Sequence, residues 1–165
     1  MIFVTLGTQD KPFLRLIQAV EKQIKEGNIQ EEEVVVQAGS TKCESEVMKI
    51  IPYMDQNTFD MYMKQANIVI THAGVGTIIQ GLHMGKRMIV APRLAKYGEH
   101  VNDHQLQIAT NFAKENYILL LSDFEKLNLV LAKAKNFIPK AYKENNKNFI
   151  LKLEEEIQKQ LLLKN

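Results

Sequence analysis

The stretch that most constrains the fold runs from residue 67 to residue 107. It begins with a short run of apolar, β-branched residues over 67–71, as expected of a strand buried on both faces. A loop with Gly74 and Gly76 follows, then a helical pattern of apolar residues, then a second apolar run over 87–91 that ends at Pro92. These parts form a βαβ unit, in which ligands bind at the carboxyl ends of parallel strands. We therefore predict an α/β fold with a nucleotide site in this region.

The glycine loop is a candidate site for a diphosphate. Gly74 and Gly76 let the backbone approach a ligand without Cβ atoms in the way. The helix that starts near Val75 presents unpaired N–H groups and the positive end of its dipole, and Thr77 can add a hydroxyl hydrogen bond. A tight turn between a strand and a helix would use the same residues, so the glycines alone leave both interpretations open.

Two well-known phosphate motifs do not fit. The segment Gly81 to Arg87 has one residue too few for a Walker A loop, and Arg87 stands where Ser or Thr is required. A dinucleotide fingerprint needs a third glycine where this chain has Ile79, and a later acidic residue in a second-strand context is missing. Neither motif explains the loop.

Several segments taken together resemble the donor-binding half of family 28 glycosyltransferases. The resemblance spans nearly the whole chain and is carried by His72-Ala73-Gly74-x-Gly76-Thr77, Gln80, Gly85-Lys86, Ile89 to Pro92, His104-Gln105 and an opening like Val4 to Thr8. It implies a Rossmann-like parallel sheet flanked by helices, equivalent to the C-terminal half of a GT-B glycosyltransferase. The closer match is to split relatives, the soluble catalytic subunits of two-subunit transferases for capsule, exopolysaccharide or dolichol-linked glycans.

The resemblance also implies a set of residues that bind a UDP-sugar donor. The phosphate loop and the strand-end histidine would contact the diphosphate, the first loop of the chain would lie beside the diphosphate and sugar, and the His-Gln pair would contact sugar hydroxyls. The predicted donor-binding residues are Gly7, Thr8, His72, Gly74, Val75, Gly76, Thr77, Gln80, His104 and Gln105.

Gln80 departs from the family pattern. The resemblance implies that relatives usually carry an acidic residue at this place in the helix, where it accepts hydrogen bonds from both ribose hydroxyls. Gln80 can accept through its carbonyl oxygen and donate through its NH2 group, but it lacks the negative charge. A solvent-facing glutamine is the alternative interpretation.

Composition excludes several other classes of protein. The net charge of +2 is too small to indicate a nucleic-acid partner. A single cysteine, Cys43, excludes an internal disulfide and fits a reducing cytosol. No apolar run reaches the roughly 18 residues of a membrane span, and no basic region precedes the apolar N-terminus. We expect a cytoplasmic protein that works beside the inner face of a membrane through its partner.

Metal binding is the main alternative for the histidines. His100 and His104 have the i,i+4 spacing of many zinc sites. The residues between them lack the glutamate of an H-E-x-x-H motif, and no third ligand is obvious. No Asp-x-Asp motif is present either, and the resemblance implies transfer without a metal or any other cofactor.

The rest of the chain predicts strands alternating with helices. We expect strands over 1–6, 34–38, 50–54 and 117–121, and helices from Pro12 (capped by Asp10), over 44–49, over 58–65, after Ser122 or Asp123, and over 142–163. The last helix is amphipathic, with Phe149, Leu153, Ile157 and Leu161 at i+4 spacing. We divide the chain into a UDP-sugar-binding domain over 1–139 and a C-terminal helix over 140–165, which packs on that domain or on a partner.

The resemblance implies how the enzyme works. This half would hold the UDP-sugar, while a membrane-anchored partner subunit supplies the acceptor half, the catalytic base and a lipid-linked saccharide acceptor. The chain would transfer galactose, glucuronic acid or N-acetylglucosamine with inversion, and we expect little activity without the partner. A non-catalytic UDP-sugar-binding or activating subunit is the alternative, and self-association through the cleft face or terminal helix stays open.

Overall fold

The fold is a parallel β-sheet with helices on both faces, seen in a computed structural model that describes residues 1–30, 33–143 and 147–162. The strands are β1 (Ile2–Thr5), β2 (Val34–Gln37), β3 (Lys49–Ile51), β4 (Ile68–Thr71), β5 (Arg87–Val90) and β6 (Leu119–Leu120). The α-helices are α1 (Leu14–Lys25), α2 (Gln56–Gln65), α3 (Val75–His83), α4 (His104–Lys114), α5 (Leu127–Ala134) and α6 (Lys147–Leu162). The predicted α/β class and Rossmann-like parallel sheet are confirmed.

The strand order places a crevice at the centre of the sheet. The order is β3-β2-β1-β4-β5-β6, and every neighbouring pair is parallel. The chain therefore moves outward in one direction from β1 and in the opposite direction from β4. Ligands bind at such a switch point, beyond the carboxyl ends of the strands. Thr5 ends β1 there, opposite Gln37 of β2 and Thr71 of β4.

Alternate residues of each strand face different cores, as the two-residue period of a strand requires. Ile2 and Val4 of β1 face a cluster completed by α1 and α5. Phe3, between them, faces the opposite cluster, which is built on α2, α3 and α4 and includes Leu153 of α6. Because both faces are covered, the strands are apolar except at their ends, and this is why the sequence pattern reveals them.

The predicted start of α1 is wrong by two residues, and Asp10 is not its cap. The helix begins at Leu14, after Phe13, and no side chain caps it. Phe13 is fully buried, and its backbone N–H donates to the Thr41 hydroxyl at 2.9 Å. A residue 28 positions along the chain thus satisfies an amide near this helix start, and no local pattern around Phe13 indicates that contact.

The predicted helix over 44–49 is also wrong. This segment contains bends and leads directly into β3, which begins at Lys49. The Ser45 hydroxyl accepts from the Val47 backbone N–H at 3.2 Å and donates to Glu21 at 3.0 Å. Serine side chains compete in this way with the hydrogen bonds of a helix, so the polar segment follows the surface of α1 instead.

Several other boundaries differ by a few residues from the prediction. β3 ends at Ile51 instead of residue 54, and β6 is limited to Leu119–Leu120 within the predicted strand over 117–121. α2 begins at Gln56 because Asp55 caps it, accepting from the Thr58 N–H at 2.9 Å. Asp123 accepts from the Glu125 N–H at 3.1 Å, as a cap after β6, and a 3-10 turn then leads into α5.

The terminal helix α6 packs against α4. It begins at Lys147 in the described part of the chain, later than the predicted residue 142, and the predicted end at residue 163 lies outside the described residues. Leu153 is buried and Ile150 is half-buried against the same core cluster, whereas the side chains of Phe149, Ile157 and Leu161 lie outside what the structure describes. A second role in partner binding stays a prediction. In the described ranges, we find no helix long and apolar enough to span a bilayer.

Candidate functional site

A cleft of about 510 Å³ opens at the switch point of the sheet. Its walls come from the carboxyl ends of β1, β2 and β4, from the start of α3 and from the start of α2. The cleft is lined by Thr5, Gly7, Thr8, Gln9, Gln37, Tyr53, Met54, Gln56, Phe59, His72, Gly74, Gly76, Thr77 and Gln80. Half of these residues were predicted to bind the donor, so the sheet brings together two loops that are about 65 residues apart in the chain.

The start of α3 offers unpaired backbone donors to this cleft. Gly74 is the N-cap residue and supplies no side-chain cap. The first hydrogen bond of the helix runs from the Ile78 N–H to the Gly74 carbonyl at 3.0 Å, so the amides of Val75, Gly76 and Thr77 precede it. Such amides, with the helix dipole behind them, favour an anion. Val75 itself does not line the cleft, because its side chain packs toward the core.

The two glycines of the loop serve different purposes. A Cβ atom at Gly76 would meet no protein atom within 4 Å, so the space beside it is open to a ligand. A Cβ atom at Gly74 would overlap the His72 imidazole, and one at Gly7 would lie only 2.7 Å from the same ring. Gly7 also has a positive φ of 74°, which glycine adopts without strain. Gly7 and Gly74 therefore make room for the His72 ring, and Gly76 leaves room for a bound ligand.

His72 is held as a neutral side chain at the floor of the cleft. It is 9% exposed, and burial together with the nearby Arg93 charge lowers its pKa from 6.5 to about 4, although a hydrogen bond with the Thr5 backbone opposes this shift. Its Nδ1 atom lies 3.3 Å from the Thr71 hydroxyl. At neutral pH the ring carries one N–H, so it can offer a diphosphate a hydrogen bond but no positive charge.

Gln37 organises the other side of the cleft floor and was not predicted. Its Oε1 accepts from the Thr5 hydroxyl at 2.7 Å, and its Nε2 donates to the carbonyl oxygens of Gly7 at 3.1 Å and Pro52 at 3.3 Å. The side chain thus ties the loop after β1 to the segment after β3. A polar residue at the carboxyl end of an apolar strand was the available signal, because such positions meet at one edge of a parallel sheet.

Gln80 lines the cleft and is not a free surface glutamine. Its Nε2 donates to Oδ1 of Asp60 on α2 at 2.6 Å, and Nε2 of Gln56 donates to the same oxygen at 2.6 Å. The interpretation of a purely solvent-facing side chain therefore does not describe Gln80. Its contact with a ribose stays a prediction.

His104 and Gln105 lie beside the cleft and do not line it. Gln105 is buried, and its Oε1 accepts from the backbone N–H groups of Ala73 at 3.2 Å and Arg93 at 3.0 Å. The carbonyl oxygen is thereby occupied, so any contact with a sugar would use the Gln105 NH2 group. His104 is partly buried, and burial and the nearby His100 lower its pKa. Its Nδ1 atom is buried without a hydrogen-bond partner.

A buried arginine connects the loops behind the cleft, and it is not among the predicted residues. Arg93 is 1% exposed, and its guanidinium donates to the carbonyl oxygens of Leu6 at 2.7 Å, Lys11 at 2.8 Å and Glu99 at 3.4 Å. It also lies 4.8 Å from the Phe13 ring centroid. An arginine directly after an apolar strand and a proline was the only hint, because buried arginines need several acceptors.

Glu99 extends this connection to α1. Its carboxylate takes two hydrogen bonds from Arg15, both at 2.8 Å, and a third from the Leu94 N–H at 3.1 Å. The Arg15 guanidinium in turn lies 3.8 Å from the Phe124 ring centroid and 4.3 Å from that of Tyr97. We call Arg93, Glu99, Arg15 and Gln105 the brace, since their polar atoms bind other parts of the protein.

The histidine pair shows no arrangement of ligands for a metal. The rings of His100 and His104 are stacked with centroids 6.1 Å apart, and the His100 Nδ1 accepts from the Asn102 N–H at 3.3 Å. Residues 1–30, 33–143 and 147–162 contain no group of three or more His, Cys, Asp or Glu side chains that could hold a metal ion.

Comparison with known proteins agrees with the fold. The family described as the glycosyltransferase family 28 C-terminal domain matches residues 1–161. A curated relative, UDP-N-acetylglucosamine transferase subunit ALG13 of Candida albicans, is 32% identical over 75 residues, which cover 46% of this chain and 24% of the relative. The matches cover 10%, 24% and 34% of the length of three such relatives, so this chain resembles only part of each.

Solved structures share the same fold. An NMR solution structure of ALG13 superposes with a TM-score of 0.59 and 20% identity, covering 95% of this chain and 96% of the other. The glycotransferase of kitacinnamycin superposes with a TM-score of 0.61 and 15% identity, covering 95% of this chain but 39% of that enzyme. At these identities the likeness concerns the fold alone, and the family match carries the assignment. The chain belongs to the glycosyltransferase family 28 C-terminal domain family.

Proposed function

We propose that this chain is the donor-binding subunit of an inverting glycosyltransferase that uses a UDP-sugar. The observation that carries the proposal is the open cleft at the switch point, where the uncapped start of α3 and the unobstructed side of Gly76 face a common space. Family membership supports the same interpretation. The diphosphate would lie at the start of α3, with Thr77 and His72 as further donors and with Gly7 and Thr8 on its other side.

In this proposal the protein assists departure of the diphosphate. When the bond between the anomeric carbon and the diphosphate breaks, negative charge grows on the leaving oxygen. Fixed N–H groups of Val75, Gly76 and Thr77, with the dipole of α3, would stabilise that charge without a metal ion or other cofactor. A base on the partner subunit would deprotonate the acceptor hydroxyl, which attacks from the opposite face and inverts the configuration.

The sugar and the acceptor are the finer parts of the proposal. Relatives named as UDP-N-acetylglucosamine transferase subunits make N-acetylglucosamine the first candidate, with galactose and glucuronic acid as the others. The acceptor would be a polyprenyl-linked saccharide in capsule, exopolysaccharide or related glycan synthesis, presented at the inner face of the membrane by an anchored partner. Nucleic acid is not a proposed partner, and the chain itself would be cytoplasmic. Self-association is not part of the proposal.

The test is calorimetric titration of the purified chain with UDP, with the three UDP-sugars and with ADP. We expect UDP to bind, ADP to be rejected, and one sugar to bind best. The titration is repeated with the solubilised membrane partner, and transfer of labelled sugar to lipid is measured with and without it. No UDP binding in either form would overturn the proposal, and efficient transfer by the chain alone would overturn the need for a partner.

A second candidate is a subunit that binds the UDP-sugar and activates a partner without taking part in the chemistry. This candidate is supported by Gln105, which was predicted to contact the sugar. Its Oε1 atom instead accepts hydrogen bonds from two backbone N–H groups of the protein. Thr77→Val separates the two functions, since it removes a hydroxyl in the cleft and keeps the shape. At saturating UDP-sugar and with the partner still bound, a donor site in catalysis predicts slower transfer, whereas an activating subunit predicts unchanged transfer.

A further inference from the structure

The cleft wall between α2 and α3 contains a carboxylate that the donor-site prediction did not include. Asp60 does not line the cleft, but it accepts a hydrogen bond from each of two cleft-lining glutamines, Gln56 and Gln80, at 2.6 Å. A carboxylate only accepts hydrogen bonds, so each glutamine must turn its NH2 group toward Asp60. Each glutamine therefore keeps its whole carbonyl oxygen for a ligand, while one of its two N–H groups is used by Asp60.

This arrangement removes an ambiguity that a glutamine otherwise has. The terminal amide can rotate to present either its oxygen or its nitrogen, and only its neighbours decide which. A charge-assisted bond to Asp60 fixes the choice. The same bond polarises the amide of Gln80, which makes its carbonyl oxygen a stronger acceptor for a hydroxyl group.

We propose that Asp60 is a positioning residue, which orients Gln80 and Gln56 so that their carbonyl oxygens accept from the ribose hydroxyls of the nucleotide. The inference rests on the proposed function, because it concerns the nucleoside end of the same cleft. The negative charge lies one hydrogen bond behind the contact.

The experiment compares the affinity for UDP with that for 2′,3′-dideoxy-UDP, which lacks both ribose hydroxyls. It uses the chain alone or the chain with its partner, whichever binds UDP. We expect the unmodified protein to bind UDP about tenfold more tightly, as one or two modest hydrogen bonds would give. In Asp60→Asn, the amides of Gln56 and Gln80 are free to flip. The preference for UDP over 2′,3′-dideoxy-UDP should therefore fall to about twofold. Binding of 2′,3′-dideoxy-UDP should remain nearly unchanged, because the diphosphate contacts are intact.

Two further variants separate positioning from structural support. Asp123→Asn removes the same charge at an exposed cap that does not line the cleft and should keep the full preference, since Asn also caps. The exchange Gln80→Glu with Asp60→Asn restores one carboxylate and one amide in swapped positions, and it should recover the preference. Gln80→Glu alone places two carboxylates together and should not.

Each outcome decides the proposal. An unchanged preference in Asp60→Asn would overturn it, as would an equal loss for both nucleotides, which indicates structural damage only. Equal binding of UDP and 2′,3′-dideoxy-UDP by the unmodified protein would also overturn it while leaving the donor-site proposal standing. No binding of UDP at all would overturn both.

Discussion

Two regions predicted to bind the same ligand are built differently. The loop at the start of α3 keeps its polar groups available, because Gly76 faces open space and no side chain caps the helix. The region from the end of β5 to the first turn of α4 uses several of its polar groups internally, since Gln105, Arg93 and Glu99 bind backbone groups or Arg15. Similar polar motifs in sequence can therefore serve ligand binding in one place and loop positioning in another. Burial and hydrogen-bond partners tell them apart.

A substitution in the brace should lower the free energy of unfolding more than a substitution in the loop at the start of α3. Arg93→Met would leave the carbonyl oxygens of Leu6, Lys11 and Glu99 without this donor in a buried place. We expect the free energy of unfolding to fall by about 3–5 kcal/mol, the range for breaking a buried charged network. UDP binding should fall too, because the loop that carries Gly7 loses its support. Urea denaturation and the UDP titration measure the two effects.

Arg87→Met is the matched control for this prediction. Arg87 lies at the opposite end of β5 and is only half-buried, so its replacement should change stability by less than about 1 kcal/mol. If the two variants were equally stable, the brace would have no special role.

His72 lies between the two regions and should make stability depend on pH. Its folded pKa of about 4 is below its ordinary value of 6.5, so the unfolded chain takes up a proton first as the pH falls. The contribution of His72 is complete above pH 6.5 and is lost between pH 6.5 and 4, up to about 3 kcal/mol. Denaturation at a series of pH values should show this loss in the unmodified protein.

The slope should be smaller in His72→Gln, which cannot take up the proton. His83→Gln is the control, because His83 is exposed. His104 also has a lowered pKa and contributes in the same direction, but it is present in all three proteins and cancels in the comparison. Identical pH profiles for the unmodified protein and His72→Gln would contradict the prediction.

Gly76→Ala should have the smallest effect on stability and a clear effect on UDP binding. Gly76→Ala adds a Cβ that meets no protein atom, within a helix, so stability should rise by up to about 1 kcal/mol. The same Cβ would intrude on the space proposed for the diphosphate, and UDP should bind about tenfold more weakly. Calorimetry and urea denaturation would record opposite signs for the two quantities.

Gly74→Ala is the companion variant. Its Cβ would overlap the His72 imidazole, so we expect a loss of about 1–3 kcal/mol of stability, typical of overpacking. Were Gly76→Ala the more damaging of the two to stability, the distinction between the two glycines would be mistaken.

The fold class and the glycine loops follow from sequence patterns, whereas the other predicted cleft residues came from the family resemblance. Apolar β-branched runs such as Ile68–Thr71 mark strands covered on both faces, and glycines after such a run mark a tight turn into a helix. Because parallel strands place their carboxyl ends at one edge, the strand pattern places the loops at Gly7 and Gly74 on the same edge of the sheet. The structure adds that β1 and β4 are neighbours, which brings the two loops side by side. Their ligand stays a proposal.

Which polar side chains remain available depends on tertiary contacts. Ser45 turns a predicted helix into a bend, Gln105 gives its oxygen to two distant amides, and Arg93 binds carbonyl oxygens 87 and 82 residues away. Likewise, Gln80 meets Asp60 from a neighbouring helix. A side chain's partners come from whatever the fold brings within about 3 Å, and sequence spacing along one element contains no information about that distance.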